Sequence, residues 1–142
     1  MQLFSSIKER RKGFTLVELL VVIVVLAVLA AIVLPKFMDS SARSKESSLR
    51  TDLKLIRNAL SAFQADTGKY PLALADLAGT DKATVKVADG SVVAASDWHG
   101  PYLEAIPTDP IGGAAFTYDK ATGKVSSSAS GNALDGSAYS AW

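Results

Sequence analysis

The sequence predicts an α+β fold in which a long N-terminal α-helix packs on a small antiparallel β-sheet head. Residues 14–34 are almost wholly apolar, and apolar residues then recur at helical spacing as far as residue 63, which indicates one continuous helix. After Pro71 the chain becomes rich in Gly and Pro between short alternating segments, a pattern typical of hairpins. The 142 residues suffice for one such domain.

Composition and charge exclude several classes of function. Fifteen Lys and Arg against 14 Asp and Glu give a net charge of +1, so the chain is not a strongly basic nucleic-acid binder. The absence of Cys excludes thiolate sites, and a single histidine, His99, excludes a multi-histidine metal site. Because the sequence also contains no Gly-x-Ser-x-Gly elbow and no phosphate loop, it predicts a protein that is not an enzyme.

The N-terminal third predicts a membrane span behind a basic leader. Residues 1–13 carry a net charge of +3, with bases at Lys8, Arg10, Arg11 and Lys12. As a helix, residues 14–34 would span about 30 Å, the thickness of one hydrocarbon core. The basic leader places the N-terminus on the cytoplasmic side. A cleaved secretory signal fits less well, because its apolar core is shorter and ends at an Ala-x-Ala-like site.

Glu18 is the one charged residue in this apolar run. A carboxylate in a membrane-spanning helix costs free energy and is by default functional, with a partner to be identified. Cleavage after Gly13 would leave a cationic amine on Phe14, which could pair with Glu18 in the same helix or, from a neighbouring copy, set the axial register. The alternative is that Glu18 lies near the end of the span and reaches the lipid head groups.

The stretch Lys-Gly-Phe-Thr-Leu-Val-Glu-Leu-Leu at residues 12–20, which heads an apolar run, resembles the N-terminal motif of type IV pilins and of the pseudopilins of type II secretion. The resemblance implies that a prepilin peptidase cuts between Gly13 and Phe14 and methylates the new amine. It also implies that Glu18 is the carboxylate used in assembly. N-methylation leaves the amine charged, so the proposed ion pair would survive it.

The same resemblance implies a structural function. The chain would be inserted in the bacterial inner membrane and then polymerised by an assembly platform into a helical homo-oligomeric filament, periplasmic or extracellular, together with minor pilins or pseudopilins. The expected function is that of the major pseudopilin of type II secretion, and the alternative is a type IV pilus pilin for adhesion, motility or DNA uptake. A simple membrane anchor carrying a binding domain would have no use for cleavage at Gly13.

Pro35 lies between the apolar run and the predicted stem of the helix and is, with Phe14 and Glu18, a predicted assembly residue. It lacks the N–H that would bond to the carbonyl of Ala31, so it either kinks a continuing helix at the membrane exit or ends it. Continuation is favoured by an apolar stripe with 7, 4, 3, 4, 3 spacing, which predicts a stem helix to about Ala65 with Gly68 as its stop. The stripe consists of Ala42, Leu49, Leu53, Ile56, Leu60 and Phe63.

The predicted organisation is a leader at residues 1–13, a transmembrane and assembly helix at 14–34, a stem helix at 35–67 and a head at 68–142. In the head, Asp89-Gly90 between two Val-rich segments predicts one hairpin, and the segments at 115–118 and 124–126 predict a second. A head of this size has a marginal core of its own, so it is expected to pack on the stripe of the stem.

The loops of the head resemble those of the major pseudopilin of type II secretion. The likeness lies in Gly-Pro-Tyr-Leu at 100–103, Asp-Pro-Ile-Gly-Gly at 109–113, Gly-Lys-Tyr-Pro at 68–71 and a C-terminal Trp142. The buried loop anchors that this resemblance implies are Tyr102, Leu103, Ile106 and Pro107.

The C-terminal tail, residues 126–142, departs from that family. Similar major pseudopilins hold a calcium ion there with clustered aspartates and carbonyls, but this tail has six Ser, four Ala, two Gly and a single acid, Asp135. Calcium takes six to eight oxygens, usually from several carboxylates, and the tail has only one acid, so no cofactor is expected. A calcium site would have to use the carboxylates of Asp135 and Asp119. The tail is expected to pack flat on the sheet or to be partly mobile.

Overall fold

A computed structural model describes residues 13–142 and confirms the predicted α+β class. The long helix α1 (Leu16–Thr67) is followed by a 3₁₀ helix (Leu74–Ala78), strands β1 (Thr117–Asp119) and β2 (Lys124–Ser126), and a 3₁₀ helix (Tyr139–Ala141). The described residues divide into two compact units, one that ends at Asp39 and one that comprises Ser40–Trp142. Apart from Gly13, the predicted leader lies outside the described residues.

Helix α1 continues through Pro35, so the alternative that this proline ends the helix is wrong. Proline removes one hydrogen bond and crowds one carbonyl, while the turns on both sides keep theirs. At the other end, α1 stops at Thr67, two residues beyond the predicted Ala65. Gly68 then takes a φ of +73° and donates its N–H to the Gln64 carbonyl at 2.8 Å, which confirms its role as the stop.

The stem part of α1 provides one side of the head's core. The predicted stripe is confirmed, because its five large members are each no more than 2% exposed, whereas Ala42 is only half-buried. Those five are Leu49, Leu53, Ile56, Leu60 and Phe63. The residues that pack on them from the head are Leu74, Leu77, Val85, Val87, Val93, Leu103, Phe116 and Val125.

The second predicted hairpin is confirmed. Strands β1 and β2 pair antiparallel, with Tyr118 opposite Val125. The turn between them needs Gly123, which has a φ of +70° and lies so close to the ring of Tyr70 that any Cβ there would overlap it.

The first predicted hairpin forms its turn but not two regular strands. Gly90 has a φ of +88°, and its N–H bonds to the Val87 carbonyl at 2.8 Å, yet the ladder is a single bridge between Lys86 and Val92. On its other side, the same segment makes another single bridge, between Val87 and Pro71. Proline has no N–H to extend a ladder, which accounts for the shortness of that pairing.

The predicted burial of the loop anchors is correct only for Leu103, which is 7% exposed. Tyr102, Ile106 and Pro107 are half-buried. Tyr102 stacks its ring edge-to-face on Phe63 but directs its hydroxyl outward to Asp66 Oδ2 at 2.7 Å. A phenol with an apolar ring and a polar tip is stable at such a boundary, so it does not need full burial.

Candidate functional site

The predicted processing site lies in a short non-helical segment just before α1. Gly13 and Phe14 are exposed, and the Phe14 side chain is 80% exposed. No atom of residues 13–142 lies within 4 Å of where a Cβ on Gly13 would be. The peptide between them is therefore accessible to another protein, as cleavage would require. Its use as a cleavage and methylation site stays a prediction.

Glu18 closes the N-terminus of α1 on Thr15. One carboxylate oxygen, Oε2, accepts hydrogen bonds from the Thr15 N–H at 3.0 Å and from the Thr15 hydroxyl at 3.1 Å. In return the Glu18 N–H donates to Thr15 Oγ1 at 3.2 Å. This is a reciprocal capping box, which satisfies backbone donors that the first turn leaves unpaired. The sequence analysis missed it, although Thr-x-x-Glu before an apolar run is its known signature.

Only one of the two oxygens of Glu18 is used in this cap. Among residues 13–142, no group donates a hydrogen bond to Oε1. The carboxylate can therefore hold its own helix terminus and still accept a cation from another molecule. Its predicted pairing with the amine of Phe14 remains a prediction.

The first part of α1 exposes an unusually large apolar surface. Every Leu, Ile, Val and Phe from Phe14 to Leu34 is between 44% and 80% exposed, and Phe37 and Met38 continue the surface. The same stretch is long and apolar enough to cross a membrane. A soluble monomer does not expose a patch of this extent, so lipid or other protein must cover it. Pro35 lies at the end of this stretch, and its predicted part in assembly stays a prediction.

In the head, the most constrained carboxylate is Asp109, which is 1% exposed. Its Oδ1 accepts from the N–H groups of Ile111 and Gly112, at 2.8 and 2.9 Å. Its Oδ2 accepts from the Ser127 hydroxyl at 2.5 Å and the Ser128 N–H at 2.9 Å. Burial raises the pKa of Asp109, but these hydrogen bonds together outweigh it and hold the pKa below its ordinary value. Asp109 thus ties its loop to the start of the tail, a role that the sequence analysis did not assign.

Asp119 and Asp135, the carboxylates proposed for calcium, are each engaged in local hydrogen bonds. Asp119 accepts from the Ala121 N–H at 2.9 Å and the Thr122 hydroxyl at 2.7 Å, within the β1–β2 turn. Asp135 accepts from Ser137 and forms an ion pair with the stem helix. Across residues 13–142, no three His, Cys, Asp or Glu side chains lie close enough together to hold a metal.

Comparison with known proteins decides the family. Residues 8–34 match the family of the prokaryotic N-terminal methylation motif. Residues 36–136 match the family described as type II secretion system (T2SS), protein G. The chain belongs to the type II secretion system protein G family. The likeness to the pseudopilins of type II secretion, inferred from residues 12–20 and from the head, is confirmed.

Individual relatives agree with the protein G family. The chain is 33% identical over 104 residues to the type II secretion system core protein G of Klebsiella pneumoniae, covering 73% of this chain and 71% of the relative. The corresponding protein of Pseudomonas aeruginosa is 33% identical over 105 residues, 74% of this chain and 71% of the relative. The type IV major pilin protein PilA of Myxococcus xanthus is 39% identical, but over 66 residues, 46% of this chain and 30% of PilA. No solved structure matches significantly.

Membership of the protein G family has three general consequences. It is a family of structural pseudopilin subunits. Membership of the family implies that the chain polymerises into a filament and is processed at its N-terminal motif. The methylation motif and the apolar stretch of α1 fit a membrane-anchored pseudopilin.

Proposed function

We propose that this chain is the major pseudopilin of a type II secretion system. It is made as a precursor that spans the inner membrane once, with its basic N-terminus in the cytoplasm. A prepilin peptidase cleaves it between Gly13 and Phe14 and methylates the new amine. The mature chain is then extracted by an inner-membrane assembly platform and joins a periplasmic filament with minor pseudopilins.

The observation that supports this proposal is the exposed apolar surface of α1 between Phe14 and Leu34, with Glu18 as its only charge. In the membrane, lipid covers that surface, and in a filament the same surface is covered by equivalent helices of other copies. The transfer from lipid to a helical bundle gains little from the exclusion of water, so side-chain packing and polar pairs must determine how the helices align.

Glu18 supplies that alignment in the proposed filament. Its Oε2 is occupied by Thr15, while Oε1 is available among the described residues. The methylated amine of Phe14 on a neighbouring copy is a cation of the right charge to bind there. The attraction between the two charges is stronger away from water, and the pair can form only at an axial offset that brings the amine of one helix to the carboxylate of its neighbour.

The direct test is the mass of the mature protein, measured on membranes and on purified filaments. The proposal expects a chain that begins at Phe14 and carries one additional methyl group. A Gly13→Asp precursor is the matched comparison, since the surroundings of Gly13 are open and the fold has no need of a glycine there. That precursor should insert normally and remain uncleaved. Filaments built from chains that still begin at Met1 would refute the proposal.

A type IV pilus subunit remains the second candidate, because 66 residues of the chain are also 39% identical to a major pilin. The two functions differ in phenotype. Deletion of the gene for a secretion pseudopilin leaves exported proteins in the periplasm and surface pili intact. Loss of surface pili with normal protein export would favour the pilus function instead.

A further inference from the structure

The C-terminal tail is held against the stem helix by a guanidinium. Arg50 Nη2 lies 3.1 Å from Asp135 Oδ2, and the guanidinium carbon of Arg50 lies 4.1 Å from the centre of the Trp142 ring. One side chain of α1 therefore binds the tail at two points, through an ion pair and a cation–π contact.

The two points of attachment are connected to each other through Ser137. Asp135 Oδ1 accepts from the Ser137 N–H at 2.9 Å and from its hydroxyl. The Trp142 indole N–H donates to Ser137 Oγ at 2.6 Å. Arg50, Asp135, Ser137 and Trp142 thus form a closed ring of contacts, which we call the arginine latch.

A second attachment lies one turn earlier on the helix. Glu46 is 8% exposed, and its Oε1 accepts from the Leu134 N–H at 2.7 Å and the Tyr139 hydroxyl at 3.0 Å. Tyr139 in turn contacts Trp142 edge-to-face, with ring centres 5.4 Å apart. The tail is therefore fixed to α1, an attachment that its composition did not predict, and its 3₁₀ helix (Tyr139–Ala141) also contacts strand β2.

The residues of the latch do not fit a calcium site. Both carboxylate oxygens of Asp135 already have partners, Ser137 and Arg50. The guanidinium of Arg50 is positively charged and would repel a divalent cation at this carboxylate. The other proposed carboxylate, Asp119, caps its own turn. Calcium also needs several oxygens converging at about 2.3–2.6 Å, usually with more than one carboxylate.

We infer that the guanidinium of Arg50 is the cation that fastens the C-terminal tail in this chain, in the role that calcium has in similar major pseudopilins, and that the head folds without calcium. The tail needs such a fastening because of its composition. It consists mainly of Ser, Ala and Gly, and few of its residues contribute to the core. A fixed side-chain cation also keeps the tail attached where free calcium is scarce.

Amide hydrogen exchange of the tail tests this inference on the full chain in detergent micelles. In the wild type, exchange of the tail peptide should be equal in calcium chloride and in the chelator EGTA. Arg50→Gln should speed exchange of the Leu134, Ser137 and Trp142 amides about 3- to 10-fold, because an exposed ion pair and a cation–π contact are lost together. Asp135→Asn should give a smaller increase, since the contact with Trp142 remains.

Arg43→Gln is the matched control, because Arg43 is an exposed arginine on the same helix whose side chain makes no hydrogen bond or ion pair among residues 13–142. It removes the same charge and should leave tail exchange unchanged. Slower exchange of the wild-type tail in calcium than in EGTA would overturn the inference, and so would equal exchange in the Arg50 and Arg43 variants. Because the readout is local to the tail, it is independent of whether the chain builds a secretion filament.

Discussion

A single oxygen of Glu18 accepts both the backbone N–H and the hydroxyl of Thr15, at 3.0 and 3.1 Å. This contact gives the carboxylate a local role in starting α1, in addition to the intermolecular role proposed for it. Any experiment that simply deletes Glu18 would remove both roles together. The chemistry of the capping box offers a way to separate the two roles. Glutamine can replace glutamate three residues after the capping threonine, because its side-chain oxygen also accepts a hydrogen bond from the backbone.

Glu18→Gln should retain the cap and remove the charge. If the charge aligns neighbouring helices, this variant inserts into the membrane and is cleaved, yet fails to enter filaments. Thr15→Ala makes the opposite change, since it loses the hydroxyl of the cap and keeps the carboxylate, and it should still assemble. Sheared filaments and membrane fractions, quantified by immunoblotting, report the outcome. Assembly of the Gln variant at wild-type levels, with a defect in the Thr15 variant, would assign Glu18 to capping alone.

Asp109→Asn should destabilise the head by about 2–4 kcal/mol. The buried carboxylate accepts several hydrogen bonds, whereas the NH₂ group of asparagine would face N–H or O–H groups that are themselves donors. Both tryptophans, Trp98 and Trp142, lie in the head, so urea unfolding followed by tryptophan fluorescence reports this unit. Asp97→Asn, at an exposed aspartate, is the control and should change the free energy of unfolding little.

The effect of Asp109 should also depend on pH. Its pKa is lower in the folded chain than in the unfolded one, so its stabilisation is complete above the ordinary pKa of about 3.9 and is lost as the pH falls through the folded value. The difference in stability between wild type and Asp109→Asn should therefore be constant at neutral pH and shrink in acid. A difference that persists unchanged below the folded pKa would mean that the ionised form is not the stabilising one.

Tyr118 should make the head sensitive to alkali. Burial, aided by Tyr70 and nearby carboxylates, raises its pKa from 10.0 to about 12, and its hydroxyl donates to the Pro71 carbonyl at 2.9 Å. The folded state favours the neutral phenol of Tyr118. Its contribution to the free energy of unfolding is therefore complete below pH 10 and is lost as the pH approaches 12. Tyr118→Phe should cost about 0.5–1.5 kcal/mol at neutral pH and reduce the fall in stability above pH 10. An identical alkaline fall in both proteins would exclude Tyr118 as its source.

Gly123 and Gly113 form a matched pair that separates backbone strain from crowding. Their φ values are +70° and +67°, but a Cβ on Gly123 would overlap the Tyr70 ring, whereas no atom of the part of the chain that the structure describes lies within 4 Å of a Cβ on Gly113. Gly113→Ala should therefore cost about 1–2 kcal/mol from strain alone. Gly123→Ala should cost about 1–3 kcal/mol more because of the overlap. Equal midpoints of urea unfolding in the two variants would show that Tyr70 moves aside freely.

Much of the architecture was open to prediction because its signals lie in consecutive residues. The apolar run predicted the start of the helix, and the spacing of Leu49 to Phe63 predicted the face that is buried. The segments at 115–118 and 124–126 predicted the regular hairpin that residues 13–142 contain. Even the Thr15–Glu18 cap, which the sequence analysis overlooked, is a local pattern of four residues that could have been recognised.

What the sequence by itself determined is the class of protein, through residues 12–20 and the apolar run after them, and the amphipathic stem on which the head packs. Only the tertiary structure decided which polar groups meet. The hydrogen-bonded side chains of Asp109 and Ser127 are separated by 18 residues in the sequence. The separation is 85 residues for Arg50 and Asp135, and 93 residues for Glu46 and Tyr139. The physical reason is that a helix or a turn is specified by neighbours in the chain, whereas a distant polar pair forms only where folding of the core brings two surfaces together and leaves each group no better partner.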